Sequence, residues 1–244
     1  MDEKGRKITA GVLIIAVLLI AVFINYQEQK KNRNSVNLTR LIARVGVFSA
    51  ISALLYTVPF LKFSLPIFPS FLEIHFDEIP AFICGFAYGP LSGVLVIVIK
   101  TLIKLPISGT GTVGEWSDLI YSIAFILPAT LIYKKHRNFK GVIIGISIGT
   151  VFQLIISMFT NVYVMIPFYL YVSDMKLTEA KLLEYMQRAN PNITDIRWGY
   201  AFLAVLPFNA LKNALVIILT LLTYKPLRRV IERIANRNKE AESL

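Results

Sequence analysis

The chain has 244 residues, of which 55% are hydrophobic and only 17% charged, and its net charge is +11. So apolar a composition excludes an ordinary soluble domain and fits a protein that crosses a bilayer several times. The basic excess gathers at segment ends and not along one face, which argues against nucleic acid, and the single cysteine, Cys84, excludes an internal disulfide or a cysteine-rich metal site.

Apolar runs of about 20 residues mark spanning helices. They fall at 8–26, 41–60, 79–88, 91–105, 116–133, 142–172 and 200–224. The run at 79–88 is short and the next is interrupted by Lys100 and Lys104, so both depend on neighbours, with Gly89-Pro90 turning between them. The first run follows a basic start, MDEKGRK, but no small-x-small cleavage site follows it, so it reads as an uncleaved extra helix. The chain divides into a leading helix and basic linker (1–38), a membrane domain (39–227) with an outward insert (173–199), and a basic, polar tail (228–244). Basic clusters after the first, fifth and last runs set the orientation: the amino terminus lies outside and the carboxyl terminus in the cytoplasm of a multi-pass cell-membrane protein.

Along the second run, Gly46, Ala50 and Ala53 form a small-residue strip that another helix can approach closely. The outward loop that follows, FLKFSLPIFPSFLEIHFDEIP, is stiffened by Pro66, Pro69 and Pro80 and is greasy for an exposed segment. It either packs on the helix tops or closes apolar side chains such as Phe63 and Leu65 over a planar ring. Gly109, Gly111 and Gly114 match GxGxxG formally, but they follow a membrane helix and not a strand, and Glu115 stands where a phosphate loop needs its lysine. Glu115 and Asp118 open the next helix, where Lys100 and Lys104 can neutralise them.

In the sixth run Gln153, Ser157 and Asn161 recur at intervals of four as a polar stripe, which serves either as helix–helix glue or as part of a binding surface. In the insert, LTEAKLLEYMQRA has helical periodicity and stops at Asn190-Pro191; a helix lying on the bilayer and a lid over an outward pocket are both open. The last run carries Lys212 at its centre, with Asn209 on the same face and Pro207 loosening the turn above. A charge at that depth is costly when it faces lipid. It is either paired to a carboxylate of a neighbouring helix or it lines a polar pocket for a solute. Taken with the stripe, Asn209 and Lys212 offer donors and acceptors without fixed negative charge, which suits a carbonyl-rich neutral solute or a phosphate and suits a cation poorly.

No HExxH, Cys/His cluster or nucleophile elbow is present, and no ATPase motif. A membrane enzyme using Glu115, Asp118 and the lysines as acid–base groups and a scaffold bundle are the readings from other classes.

Four stretches resemble the substrate-binding (S) component of an energy-coupling-factor (ECF) transporter, and most of all its riboflavin-specific branch: FDEIPAFICGFAYGPLSG, SGTGTVGEWSD running on to FILPATLIYKK, TNVYVMIPFY, and LPFNALK. The resemblance spans roughly residues 39–227 without the insert. It implies an all-α integral membrane fold, a six-helix core here preceded by one additional transmembrane helix. It implies riboflavin or its phosphate (FMN) as transported ligand, with no cofactor, no metal and no catalysed reaction; an S component for another vitamin or modified nucleobase is the alternative. Asn161, Asn209 and Lys212 match the branch's polar flavin contacts, and Phe63 and Leu65 fall in the loop that covers the ligand there. The Gly46/Ala50/Ala53 strip falls where the family docks its transmembrane coupling subunit, which two ATPase subunits drive. The chain departs from the pattern in its leading helix, in the length of the insert, in His75 where an acid is expected, and in Trp116 and Asp118 where Leu and Asn are usual.

Overall fold

The computed structural model describes residues 38–109, 112–171 and 178–242; the expected leading helix at 8–26 lies outside them. Helix α1 (Leu38–Thr57) leads through a 3-10 turn (Pro59–Leu61) into a small antiparallel hairpin, β1 (Phe63–Ser64) and β2 (Glu73–Ile74), in which Phe63 pairs with Ile74 and Ser64 with Glu73. Then follow α2 (Glu78–Tyr88), α3 (Pro90–Lys104), α4 (Val113–Lys135), α5 (Phe139–Thr160) and α6 (Ile166–Tyr171), and after the insert helix α7 (Glu179–Ala189) come the single turn α8 (Trp198–Tyr200) and the long α9 (Leu206–Glu242). Among the described residues four helical stretches, Pro90–Ile107, Val113–Lys135, Phe139–Tyr171 and Trp198–Ile234, are long and apolar enough to cross a membrane, and Leu41–Thr57 and Glu78–Tyr88 are shorter apolar helices beside them. The protein is an all-α membrane protein.

Two π turns interrupt these helices, at Asn161–Met165 and Ala201–Val205, each ending one residue before an apolar residue and a proline, Ile166-Pro167 and Leu206-Pro207. A proline lacks its N–H and its ring crowds the carbonyl four residues back; a widened turn relieves that crowding. Upstream of Pro207 the affected carbonyl is that of Leu203, and the Asn190 side chain donates to it (3.3 Å).

Glycine lets α5 lie close against α4. Gly145 and Gly149 turn one face of α5 onto α4, where a Cβ would run into the carbonyl oxygens of Ala129 and Phe125. The side-chain core at this end of the molecule gathers Phe82, Phe86, Phe125, Tyr133 and Tyr224.

A second apolar cluster holds the hairpin and the insert together. Helix α7 starts at Thr178, whose hydroxyl accepts from the Lys181 N–H (3.3 Å), and buries Leu182 and Met186 against Phe68, Ile74 and Phe208. Tyr185 stacks on Phe71 of the hairpin loop (5.9 Å, 15°), and its hydroxyl meets Ser70 at 2.5 Å. The insert helix therefore packs on the loop. At the other end, α9 runs on through Pro226 to Glu242, well past the limit at 224 expected from hydropathy, with the exposed Arg228–Glu232 pair (2.9 Å, one turn apart) supporting its polar extension.

Candidate functional site

Beneath the hairpin, α2, α3, α4 and α9 bring charged side chains to one buried centre, which Ser52 and Tyr56 of α1 adjoin. Lys212 arrives from α9, 5% exposed, and its ammonium donates to Glu78 Oε1 of α2 at 2.8 Å. It also reaches Asp118 Oδ1 of α4 (3.4 Å) and Nε2 of His75 (3.3 Å), which follows β2. Asp77, next in line before α2, bonds the other imidazole nitrogen, Nδ1, and the ammonium of Lys100 from α3. Lys100 also binds Asp118 Oδ2 (2.5 Å) and lies over the ring of Tyr56 of α1, 4.2 Å from its centre. Ser52 of α1 donates to the Asp77 carbonyl (2.6 Å) and so ties α1 to the start of α2.

Taking such charges out of water costs several kcal/mol per ion, and the attraction between them compensates only when every partner is in place. Here it nearly is. Among the described residues the second oxygen of Glu78, Oε2, and the hydroxyl of Tyr200 are buried polar atoms without a hydrogen-bond partner. His75, Glu78 and Asp118 each offer an atom within 4.8 Å of the others, a spacing suited to a metal ion. The Lys212 ammonium touches all three, so a tethered cation stands at that position.

This corrects the expectation of a polar surface without fixed negative charge. Lys212 faces two carboxylates, and the pairing between helices considered for it is present. The expectation that Lys100 neutralises Asp118 is met. The sequence reading did not assign His75, Asp77 or Glu78 to the centre. Their signal was the Asp-Glu pair opening a short helix beside runs containing buried lysines, since an intramembrane ammonium calls for an acid.

The polar stripe of α5 does bond across to α9. Gln153 donates to Asn209 Oδ1 (2.8 Å) and accepts from Asn213 (2.8 Å), and Asn209 donates back to the Val205 carbonyl (2.8 Å) that precedes Pro207. Asn161 opens the first π turn and donates to the Tyr121 hydroxyl (2.8 Å) and the Ser157 carbonyl (2.9 Å). Tyr121 sits three residues beyond Asp118 on α4, so Asn161 joins the helix that carries Lys212's partner. Phe63 is exposed on the hairpin, its ring 6.5 Å from that of Phe76, while Leu65 is half-buried against the cluster shared with the insert. On α1, Gly46 and Ala50 are exposed, whereas Ala53 is buried inside the protein and does not extend the outer strip.

Ionised side chains buried among membrane helices mark a functional centre of a membrane protein. The family model for the substrate-specific component of ECF transporters matches residues 40–224, and the chain belongs to that family. It is 27% identical over 194 residues to the riboflavin transporter RibU of Staphylococcus aureus (strain TCH60), covering 78% of this chain and 93% of that one. To the riboflavin transporter FmnP of Bacillus subtilis (strain 168) it is 27% identical over 196 residues, covering 79% and 95%. In fold it is similar to a solved S component of a bacterial ECF transporter, with a TM-score of 0.62 and 25% identity over 80% of this chain and 99% of the other. The protein is thus a substrate-specific membrane subunit of an uptake system.

Proposed function

We propose that this chain captures riboflavin from outside the cell and delivers it inward as the S component of an ECF transporter. The observation that carries the reading is the match to riboflavin transporters over nearly their whole length, with Lys212 held at the meeting point of α2, α4 and α9. The isoalloxazine ring is covered by apolar side chains of the hairpin loop, Phe63 and Leu65 among them. Asn161, Asn209 and Lys212 bond its carbonyls and ribityl hydroxyls. Ring burial supplies most of the affinity of such a site, and a few polar contacts supply its selectivity. FMN is the close alternative ligand. The flavin is cargo, and no cofactor is needed.

The chain catalyses no reaction. Its energy comes from a transmembrane coupling subunit with two ATPase subunits, and the coupling subunit docks on α1 at Gly46 and Ala50, with Ala53 filling the space behind them. The amino terminus faces outward and the carboxyl terminus the cytoplasm, in keeping with the basic residues around 134–140 and 225–233. The test is a riboflavin titration of the protein purified in mild detergent, followed by flavin fluorescence. Stoichiometric quenching is expected; fluorescence left untouched, from a colourless preparation, overturns the ligand assignment.

A further inference from the structure

An ammonium has three N–H donors, and those of Lys212 have three protein acceptors in reach: Glu78 Oε1, Asp118 Oδ1 and His75 Nε2. A ligand carbonyl that bonds Lys212 must displace one of them. Two are carboxylates, whose full negative charge adds a Coulomb attraction to the ammonium that a neutral acceptor lacks. The third is an imidazole nitrogen. Since the ammonium can only donate, Nε2 accepts, and the imidazole proton sits on Nδ1, where Asp77 Oδ1 receives it. His75 is the neutral acceptor and the one most readily given up.

Its place in the chain matters as much as its chemistry. His75 follows directly on β2, at the exit of the loop expected to cover the ligand, and its ring lies 4.8 Å from that of Tyr56 on α1. Around it stand Asp77 and Glu78 at the start of α2, Asp118 of α4 and Lys212 of α9, with Lys100 of α3 bonded to Asp77. We propose that His75 is a placeholder for the ligand: its Nε2 occupies the Lys212 N–H that the flavin carbonyl takes over, which makes His75 a positioning residue and ties the freeing of Lys212 to the covering loop. This rests on the riboflavin reading. The exchange is a swap of acceptors at one ammonium, with no proton transferred. In the empty site the swap partner keeps the ammonium satisfied, so affinity reports the difference between a carbonyl and an imidazole acceptor.

The chain has two histidines, His75 and the exposed His136, so imidazole nitrogen NMR of the 15N-histidine-labelled protein in detergent can follow His75 directly. On saturation with riboflavin the His75 Nε2 resonance is expected to move toward that of an unbonded acceptor nitrogen, with Nδ1 still protonated and His136 unchanged. A His75 signal that stays in place while flavin fluorescence is quenched overturns the placeholder and leaves the riboflavin reading standing; absence of quenching brings down both. Affinity gives an independent check. His75→Phe keeps a ring against Tyr56 and leaves Asp77 its Lys100, and it is expected to bind riboflavin about three- to tenfold tighter, the net worth of one hydrogen bond no longer made in the empty site. His75→Gln, which restores an acceptor, is expected to return toward wild type. Weaker binding by the Phe variant overturns the proposal, and the NMR measurement on the unaltered chain decides if that variant does not fold.

Discussion

Replacing Lys212 by Met keeps an unbranched apolar stem in the same space and removes only the ammonium, so it separates the two things this residue does. In the folded protein the change strips Glu78 of its 2.8 Å cation, leaving Ser122 at 3.4 Å as its remaining donor, whereas Asp118 keeps Lys100 at 2.5 Å. Breaking a buried pair from one side typically costs about 3–5 kcal/mol, and here it falls on Glu78. Because the ligand exchanges with His75 on this ammonium, the loss in binding is that of a flavin carbonyl buried without a donor, about 1–3 kcal/mol, or about a 5- to 150-fold weaker Kd. The two losses are told apart by Glu78→Gln in the Lys212→Met background. That second change removes the stranded carboxylate, so thermal stability in detergent should recover most of the way while riboflavin affinity, read by fluorescence quenching, stays low. The reasoning is refuted if Lys212→Met binds riboflavin as tightly as wild type. It is equally refuted if the double variant regains full affinity, because pairing would then be the whole of the lysine's role.

Gly149→Leu drives a side chain into the Phe125 carbonyl and should lower the melting temperature, at a cost of about 1–3 kcal/mol or more for overpacking; an unchanged melting curve would mean that α4 and α5 are not held this close. Gly46→Leu points the other way: a Cβ there meets nothing within 4 Å, so the isolated subunit should keep its stability and flavin affinity. Uptake by vesicles containing the whole transporter should fall at least tenfold if α1 docks the coupling subunit, and undiminished uptake would move the docking face elsewhere. Asp195, just ahead of α8, is partly desolvated, which opposes ionisation, yet the backbone N–H groups of Gly199, Arg197 and Trp198 outweigh this and hold its carboxyl below the usual range. A depressed carboxylate adds stability that is present above its unfolded pKa, about 3.9, and is lost as pH falls through the folded value. Trp198 fluorescence in a Trp116→Phe background should therefore stay constant down to about pH 4 and change below it, and Asp195→Asn should abolish that transition.

Most of the helical framework was legible because bilayer thickness imposes it: apolar runs located every described span, and the periodicity of LTEAKLLEYMQRA with the stop at Asn190-Pro191 bounded the insert helix to within a residue or two. What hydropathy missed were contacts whose logic is pairwise. The continuation of α9 through Pro226 combines the Arg228–Glu232 pair with Ile231, which is buried in the core far along the chain from its neighbours there. Gly145 and Gly149 are unremarkable until α4 lies against them. The charged centre is the sharpest case, since His75 and Lys212 meet across 137 residues. Charge balance was nonetheless a route to it. Lys100, Lys104 and Lys212 lie in apolar runs, and the acids near the starts of the membrane helices are Asp77, Glu78, Glu115 and Asp118. Glu115 accepts from Ser108 at 2.6 Å and Lys104 lies 5.7 Å from the Tyr56 ring centre, while Asp77, Glu78 and Asp118 pair with Lys100 and Lys212, three carboxylates on two ammoniums. The surplus acid needs a donor of another kind, and the imidazole of His75 supplies it through Nδ1 while turning Nε2 toward Lys212. A carboxylate at position 75 would have added a fourth negative charge beside Asp77 and Glu78 and held Lys212 as firmly as Glu78 does. A histidine there completes the pairing and leaves one bond to the lysine weak enough for a ligand to exchange.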